Sequence, residues 1–425
     1  MKSRFRAVYF PSVARPMLVA STQDPQQTDR AIRENAMESP LDRLDASRLS
    51  PFYQDHHLAW RDTLRRWVAR EITPFVEAWD EAESFPRELY RKASEIGLLG
   101  LGWPEEYGGS PSDPFMSIIT SQEMARHGAG GVNASLMSHG IGLPPIRALG
   151  KEAMKARVIP PVLAGEKISA LAITEPSGGS DVAALTTTAR RDGDDYVVNG
   201  SKTYITSGLR ADFYTVAVRT GGEGAGGISL LLIERDREGF TRTPLKKQGW
   251  WASDTATLYF DQVRVPVENL IGAENQGFAG IMRNFNSERI GMTAGAVGFS
   301  RVCLEDAIAW ARERKTFGKR LADHQVIRHK LADMYKRIST TQAWLETLAW
   351  RIQQGEQPIA EIALLKVQAT ETLEYCAREA MQVMGGAGYM RGSRVERIYR
   401  EVRVNAIGGG SEEIMRDLAA RQMGI

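Results

Sequence analysis

Several features that usually decide a protein's class quickly are scarce in this sequence. Only two cysteines occur in 425 residues, Cys303 and Cys376, on separate helix-like segments and without metal-ligand spacing. That excludes a disulfide framework and points to a reducing compartment. No apolar run reaches the roughly 18 residues that a membrane span needs. Neither charge is in excess: 54 Lys+Arg against 52 Asp+Glu leave a net +2, which gives no electrostatic case for nucleic acid or an anionic membrane. Proline is absent between Gly277 and Pro358, and long helices explain that gap best.

What is present is ordinary globular composition, 43% hydrophobic and 25% charged, in a chain too long for one simple core. Residues 1–45 stand apart. "MKSRFRAVYFPSVARPMLVA" carries Lys2, Arg4, Arg6 and Arg15 and no acid. It reads either as a transit peptide over 1–36 or, in the plainer reading, as a disordered tail or a start site at Met37. The first alternative implies the mitochondrial matrix, the second a bacterial cytoplasm.

The rest divides into three textures. Over 46–168, Leu58, Leu64, Trp67, Val68 and Ile72 recur at helical spacing until Pro74 interrupts, and "GWPEEYGGSPSDP" is a loop. Over 169–272, Asp192-Gly193 and Asn199-Gly200 flank β-branched and aromatic residues, which predicts hairpins. Over 273–425 the pattern returns to helix. The expected fold is therefore mainly α: an N-terminal helical domain, a middle antiparallel β-barrel-like domain and a C-terminal four-helix bundle. Gly222, Gly224 and Gly227 match G-x-G-x-x-G, but a strand follows instead of a helix, so they form a hairpin loop and no Rossmann turn.

Five strings carry candidate chemistry. "LAITEPSGGSD" (171–181) and "KTYITSG" (202–208) offer hydroxyls, backbone N–H groups and the Tyr204 ring at strand ends. Such groups suit a planar heteroaromatic ligand bearing phosphates. "ARERKTFGKRLADHQ" (311–325) offers Arg314 for a phosphate and Phe317 for a ring. Each string alone also reads as an ordinary polar turn or a solvated basic helix end. Together with "QVMGGAGYMRG" (382–392) and "GGGSEEIM" (408–415), in this order and over residues 52–425, they resemble the acyl-CoA dehydrogenase family.

That resemblance implies FAD as cofactor, an acyl-CoA thioester as substrate, an electron-transfer flavoprotein as acceptor, and a homotetramer. It implies flavin contacts by Leu171, Ile173, Thr174, Gly179, Ser180, Tyr204 (a tryptophan in many relatives), Ile205 and Thr206, with Ser411 and Glu413 nearby. Arg314, Thr316, Phe317, Gln325, Gln382 and Gly386 resemble residues that reach the FAD of a neighbouring subunit. Ser180, Asn286, Arg289, Gly409 and Gly410 fall at substrate positions. No metal is implied. In the family's reaction a carboxylate removes the α-proton while the β-hydrogen leaves as hydride to the flavin. The thioester carbonyl is polarised by a backbone N–H, here that of Gly409, and a cofactor hydroxyl.

The family's usual C-terminal glutamate is absent, because its position is Gly409. Glu412 and Glu413 follow Ser411, a helix N-cap, and read as first-turn acids that complement the helix dipole. Glu288 falls on the apolar stripe of Phe278, Ile281, Met282, Phe285 and Met292. An ionised carboxylate there must be paired, with Arg289, or used. A subgroup that includes isovaleryl- and long-chain acyl-CoA dehydrogenases carries its base on this helix, immediately before an arginine, and Glu288-Arg289 resembles that arrangement. The bare glycines at 408 and 409 leave room expected to suit a branched or long acyl chain. Trp250-Trp251, where several relatives have an arginine, either wall the CoA channel or pack the barrel. Two other readings stay open: a same-fold oxidase or monooxygenase, and a silent acyl-CoA binding protein.

Overall fold

The computed structural model describes residues 50–425, and over 282–287 it describes the backbone alone. The readings made for residues 1–45 lie outside the described residues. Helix α1 (Asp55–Glu71) starts where the Gln54 N–H donates to His57 Nδ1 at 2.9 Å, and it buries Leu64, Trp67 and Val68. Pro74 opens a separate short turn, Thr73–Phe75, and so ends the helix. After α2 (Glu88–Glu95), helix α3 (Pro114–Met124) has a strong start: Asp113 accepts the Met116 N–H at 2.8 Å and Pro114 occupies the first turn. Helix α4 (Glu152–Leu163) leads into the sheet.

The strands are β1 (Ser169–Ala172), β2 (Thr188–Asp192), β3 (Asp195–Thr206), β4 (Phe213–Arg219), β5 (Ile228–Glu234), β6 (Phe240–Pro244), β7 (Thr255–Pro266) and β8 (Leu270–Ile271). Their spatial order is β6-β7-β3-β2-β4-β5-β8, with β1 beside β4. Most pairings are antiparallel, but β1 runs parallel to β4, and β2 meets β4 in parallel at Thr188↔Arg219. Asp192-Gly193 makes the expected hairpin turn, with Asp192 opposite Asp195. Asn199-Gly200 does not turn the chain: it lies inside β3 at a register shift between Val198 and Gly200. There Asn199 Oδ1 accepts the Gln262 N–H at 2.9 Å, and a Cβ on Gly200 would lie 2.7 Å from Thr187 Cα. The dipeptide serves a bulge and a close backbone approach. Glycines 222–227 link the antiparallel strands β4 and β5, as the hairpin reading requires.

The C-terminal region is built from α5 (Gly277–Glu313), α6 (Gln325–Gln353), α7 (Ile359–Met384), α8 (Arg394–Glu401) and α9 (Glu412–Met423). Ile290, Ala294, Leu345, Leu348, Ile362 and Leu365 share a core with Phe115 and Ile118 of α3. Ala363 and Val367 on another side of α7 pack against Met415 and Ala419 of α9. Helix α7 thus lies between two apolar contacts, and the loop before α9 is held close to α5.

Candidate active site

Two of the strings are brought side by side by the sheet. Thr203 N–H donates to the Thr174 carbonyl at 2.9 Å, and Lys202 Nζ donates to the Ile173 carbonyl at 2.9 Å. Lys202 is fully buried and pairs at 2.8 Å with Glu175, whose side chain is 2% exposed. Glu175 also accepts the N–H groups of Thr186 (2.6 Å) and Thr187 (2.8 Å). Burial works against both charges. Lys202 is pulled down to about 8 by desolvation, with Glu175 opposing. In Glu175 desolvation is outweighed by Lys202 and the two threonines, which bring it to about 2. A buried pair with every partner in place fixes geometry even where it adds little stability.

Above that pair, Tyr204 sits at φ +59° with 70% of its surface exposed, between buried Thr203 and Ile205. A tyrosine in the left-handed region is uncommon, and such strain gathers at binding sites. Leu171, Ile173 and Thr174 are half-buried along the same edge, Thr206 is half-buried at the end of β3, and Gly179 and Ser180 lie exposed on the turn. An exposed ring beside hydroxyls and turn amides fits the edge and face of an isoalloxazine.

The third string forms the end of α5 and a small hairpin, β9 (Lys315–Thr316) and β10 (Lys319–Arg320). Thr316 Oγ1 lies 3.0 Å from His324 Nε2, and Phe317 stands at φ +51° with 97% exposure. Arg314, Gln325, Gln382 and Gly386 are exposed as well. A phenylalanine so exposed in a strained backbone leaves its apolar face for another chain or a ligand.

The fifth string meets α5. Gly409 and Gly410 have φ +68° and +104°, values that glycine alone adopts cheaply. A Cβ on Gly409 would lie 2.5 Å from Met292 Sδ, and one on Gly410 would lie 2.4 Å from Met415 Cε. The expectation of open room at the glycines is therefore corrected at 409, where methionine fills the space. Met292 is one turn beyond Glu288 on the same face of α5, and Arg289 Nε donates to the Gly409 carbonyl at 3.4 Å. Arg289 is buried, which lowers its guanidinium's proton affinity, and the Glu288 charge opposes that. Glu288 itself is half-buried. The side chain of Asn286 lies outside the described residues. The N–H groups of Gly409 and Gly410 donate to no acceptor among the described residues. Ser411 caps α9, accepting the Ile414 N–H, with Glu412 and Glu413 in the first turn.

Two features escaped the sequence reading. Lys366 on α7 is 1% exposed and donates to the Gly410 carbonyl at 2.7 Å. Its signal was a lysine on the Ile362–Leu365–Ala369 stripe, parallel to the one that exposed Glu288. The second is a joint around Trp250-Trp251. Trp251 lies under Arg400 at 3.8 Å and Arg391 at 4.5 Å, and the Trp250 N–H donates to Glu401 Oε1 at 3.1 Å. Gly130 N–H donates to the other oxygen of Glu401 at 2.7 Å. His56, His57 and Asp113 also cluster. His57 Nδ1 accepts from Gln54, so Nε2 carries the proton and donates to the helix-capping Asp113. That cluster is spent on capping α3.

The chain matches three family models in succession: acyl-CoA dehydrogenase N-terminal domain over 54–166, middle domain over 170–263 and C-terminal domain over 275–424. It is 35% identical to the long-chain specific acyl-CoA dehydrogenase, mitochondrial, of Rattus norvegicus, covering 87% of each chain. A solved structure of a probable acyl CoA dehydrogenase from Mycobacterium abscessus is 46% identical, with TM-score 0.86, over 88% of this chain and 100% of that one. A glutaryl-CoA dehydrogenase from Mycobacterium smegmatis, solved in complex with FADH2, is 28% identical with TM-score 0.84, over 91% and 98%.

Proposed function

The chain belongs to the acyl-CoA dehydrogenase family, an FAD-binding group of oxidoreductases, and from that premise we propose that Glu288 is the base of its α,β-dehydrogenation of an acyl-CoA. One observation carries this reading. The carboxylate helix and the triglycine loop are in contact, through Met292 against Gly409 and Arg289 on the Gly409 carbonyl. A base on α5 and amide donors on the loop can thus flank one thioester.

When bound, FAD supplies the acceptor for the β-hydride. The chain's own residues do the rest. Glu288 takes the α-proton from its half-buried position on α5. Arg289 holds the loop and keeps a positive charge beside the carboxylate. The N–H groups of Gly409 and Gly410 stabilise the oxygen on which enolate charge develops. Asn286 and Ser180 contribute to substrate binding. Leu171, Ile173, Thr174, Gly179, Ser180, Tyr204, Ile205 and Thr206 hold the flavin, with Ser411 and Glu413 beside it. Arg314, Thr316, Phe317, Gln325, Gln382 and Gly386 reach the cofactor of a second copy, which links FAD binding to a homotetramer. Electrons then pass to an electron-transfer flavoprotein. The reading divides the chain at 46–168, 169–272 and 273–425. It places the protein in a bacterial cytoplasm, or in the mitochondrial matrix if 1–36 target it there.

The test is anaerobic mixing of the yellow protein with butyryl-, octanoyl-, palmitoyl- and isovaleryl-CoA. At least one should bleach the flavin and yield the trans-2-enoyl-CoA. A yellow protein that none of them bleaches contradicts the reading, and peroxide release in air would mark an oxidase.

A further inference from the structure

The triglycine loop cannot hold itself. Glycine has the most backbone freedom to lose, and the loop's two central amides make no internal bond among the described residues. What fixes it comes from outside. The Gly409 carbonyl is met by Arg289 of α5 and the Gly410 carbonyl by Lys366 of α7. In a planar trans peptide the C=O and the next N–H point in opposite directions. Drawing the Gly409 carbonyl towards Arg289 therefore turns the Gly410 N–H away from it. The 2.7 Å bond to the Lys366 ammonium is the shorter of the two and is charge-assisted.

We propose that Lys366 is a positioning residue for the acyl site, holding the triglycine loop by its Gly410 carbonyl so that the loop's amides meet the thioester oxygen. The proposal rests on the acyl-CoA dehydrogenase reading given above. Its surroundings support an ammonium kept for this purpose. Lys366 borders a narrow crevice with Met292, Thr293 and Asn405, and the Thr293 hydroxyl has no hydrogen-bond partner among the described residues. The charged groups facing it are Arg289 from α5 and Glu412 and Glu413 from the first turn of α9. Glu412 Oε1 is itself buried without a hydrogen bond among the described residues while its Oε2 meets Arg416 at 3.4 Å, so a neutral side chain at 366 would remove a buried positive charge that acts on that carboxylate. Desolvation brings the lysine down to about 8, with Arg289 adding to the fall and the two glutamates opposing it. The hold should therefore weaken as pH rises through that value.

The experiment follows anaerobic bleaching of the FAD-loaded protein by whichever of the four named thioesters bleaches the wild type fastest. In Lys366→Met the rate at saturation should fall about 10- to 100-fold, less than the roughly 100- to 1000-fold that removing an oxyanion donor costs, because the amides remain and only their placement is lost. The half-saturating concentration should stay within about threefold, because the substrate's CoA arm is untouched. The wild-type rate should decline above about pH 8. Lys366→Arg should keep activity and move that decline upward, since a guanidinium does not titrate there. Bleaching by Lys366→Met at the wild-type rate would overturn the proposal, as would an unmoved decline in Lys366→Arg. If Lys366→Met does not give yellow protein, the arginine variant's pH profile decides alone. A wild type that no thioester bleaches overturns the underlying reading and this proposal together. A normal wild type and an inert Glu288→Gln beside a fully active Lys366→Met overturn only this one.

Discussion

Glu288 could be found from sequence because a single charge on an apolar helical stripe breaks a regular pattern. Its relation to Gly409 came only through the resemblance, and no pattern in the residues themselves carries it. The contact that joins them, Met292 Sδ against the position of a Gly409 Cβ, links residues whose separation in the chain says nothing about distance. This changes what an exchange experiment should show. Moving the carboxylate by Glu288→Gly with Gly409→Glu alone should give no activity, because the new side chain meets Met292 and the backbone sits at φ +68°. Adding Met292→Ala removes the steric conflict, leaving a left-handed strain of about 1–2 kcal/mol. The triple variant should then bleach the flavin measurably while the double does not. Equal activity in the two would show that Met292 does not fill the site.

At the scale of the element, the order of helices and strands was legible from periodicity and from turn residues, and the failures have a common cause. Strand β3 buries Tyr196 and Val198, then changes parity, so that Ile205 is buried and Tyr204 exposed. Two register shifts against β7 produce that change. A strict period of two continued from Tyr196 and Val198 would bury Tyr204 along with Lys202, and nothing in the sequence marks Lys202 as the buried tie between the strings 171–181 and 202–208. Breaking a buried pair on one side strands the other charge, at about 3–5 kcal/mol. Lys202→Met should therefore lower the chemical-denaturation stability by that order and release FAD on gel filtration. A variant that stays yellow and as stable as the wild type would refute the tie. Parallel pairing of β1 with β4 was likewise invisible, since alternation is the same for either direction.

At the scale of the molecule, Glu401 ties three regions. It accepts N–H groups from Gly130 in the N-terminal helices and Trp250 in the β region, and it sits on α8 of the C-terminal region. The neighbouring Asp80 is held by Arg397 at 3.3 Å and Arg400 at 2.5 Å. The tandem tryptophans were conspicuous in the sequence, but their arginine and glutamate partners are brought to them only by the fold. Burial, reinforced by Asp80, pushes Glu401 from the ordinary 4.5 up to about 7. Between those values the folded state binds more protons than the unfolded state, so stability falls as pH rises. The contribution is whole below about 4.5 and lost as the pH passes about 7. Thermal midpoints of the wild type should drop more from about pH 5 to about pH 7.5 than those of Glu401→Gln, which cannot ionise. Parallel curves would remove Glu401 from the account.

The central claim is that the proton-accepting carboxylate lies on the long helix and not on the loop. It is tested most directly by mixing Glu288→Gln anaerobically with the thioester that bleaches the wild type fastest, following the flavin absorbance. The account predicts a spectral shift on binding, with bleaching slowed by at least about a hundredfold, as expected for loss of a positioned base. Bleaching within a few-fold of the wild-type rate would contradict it.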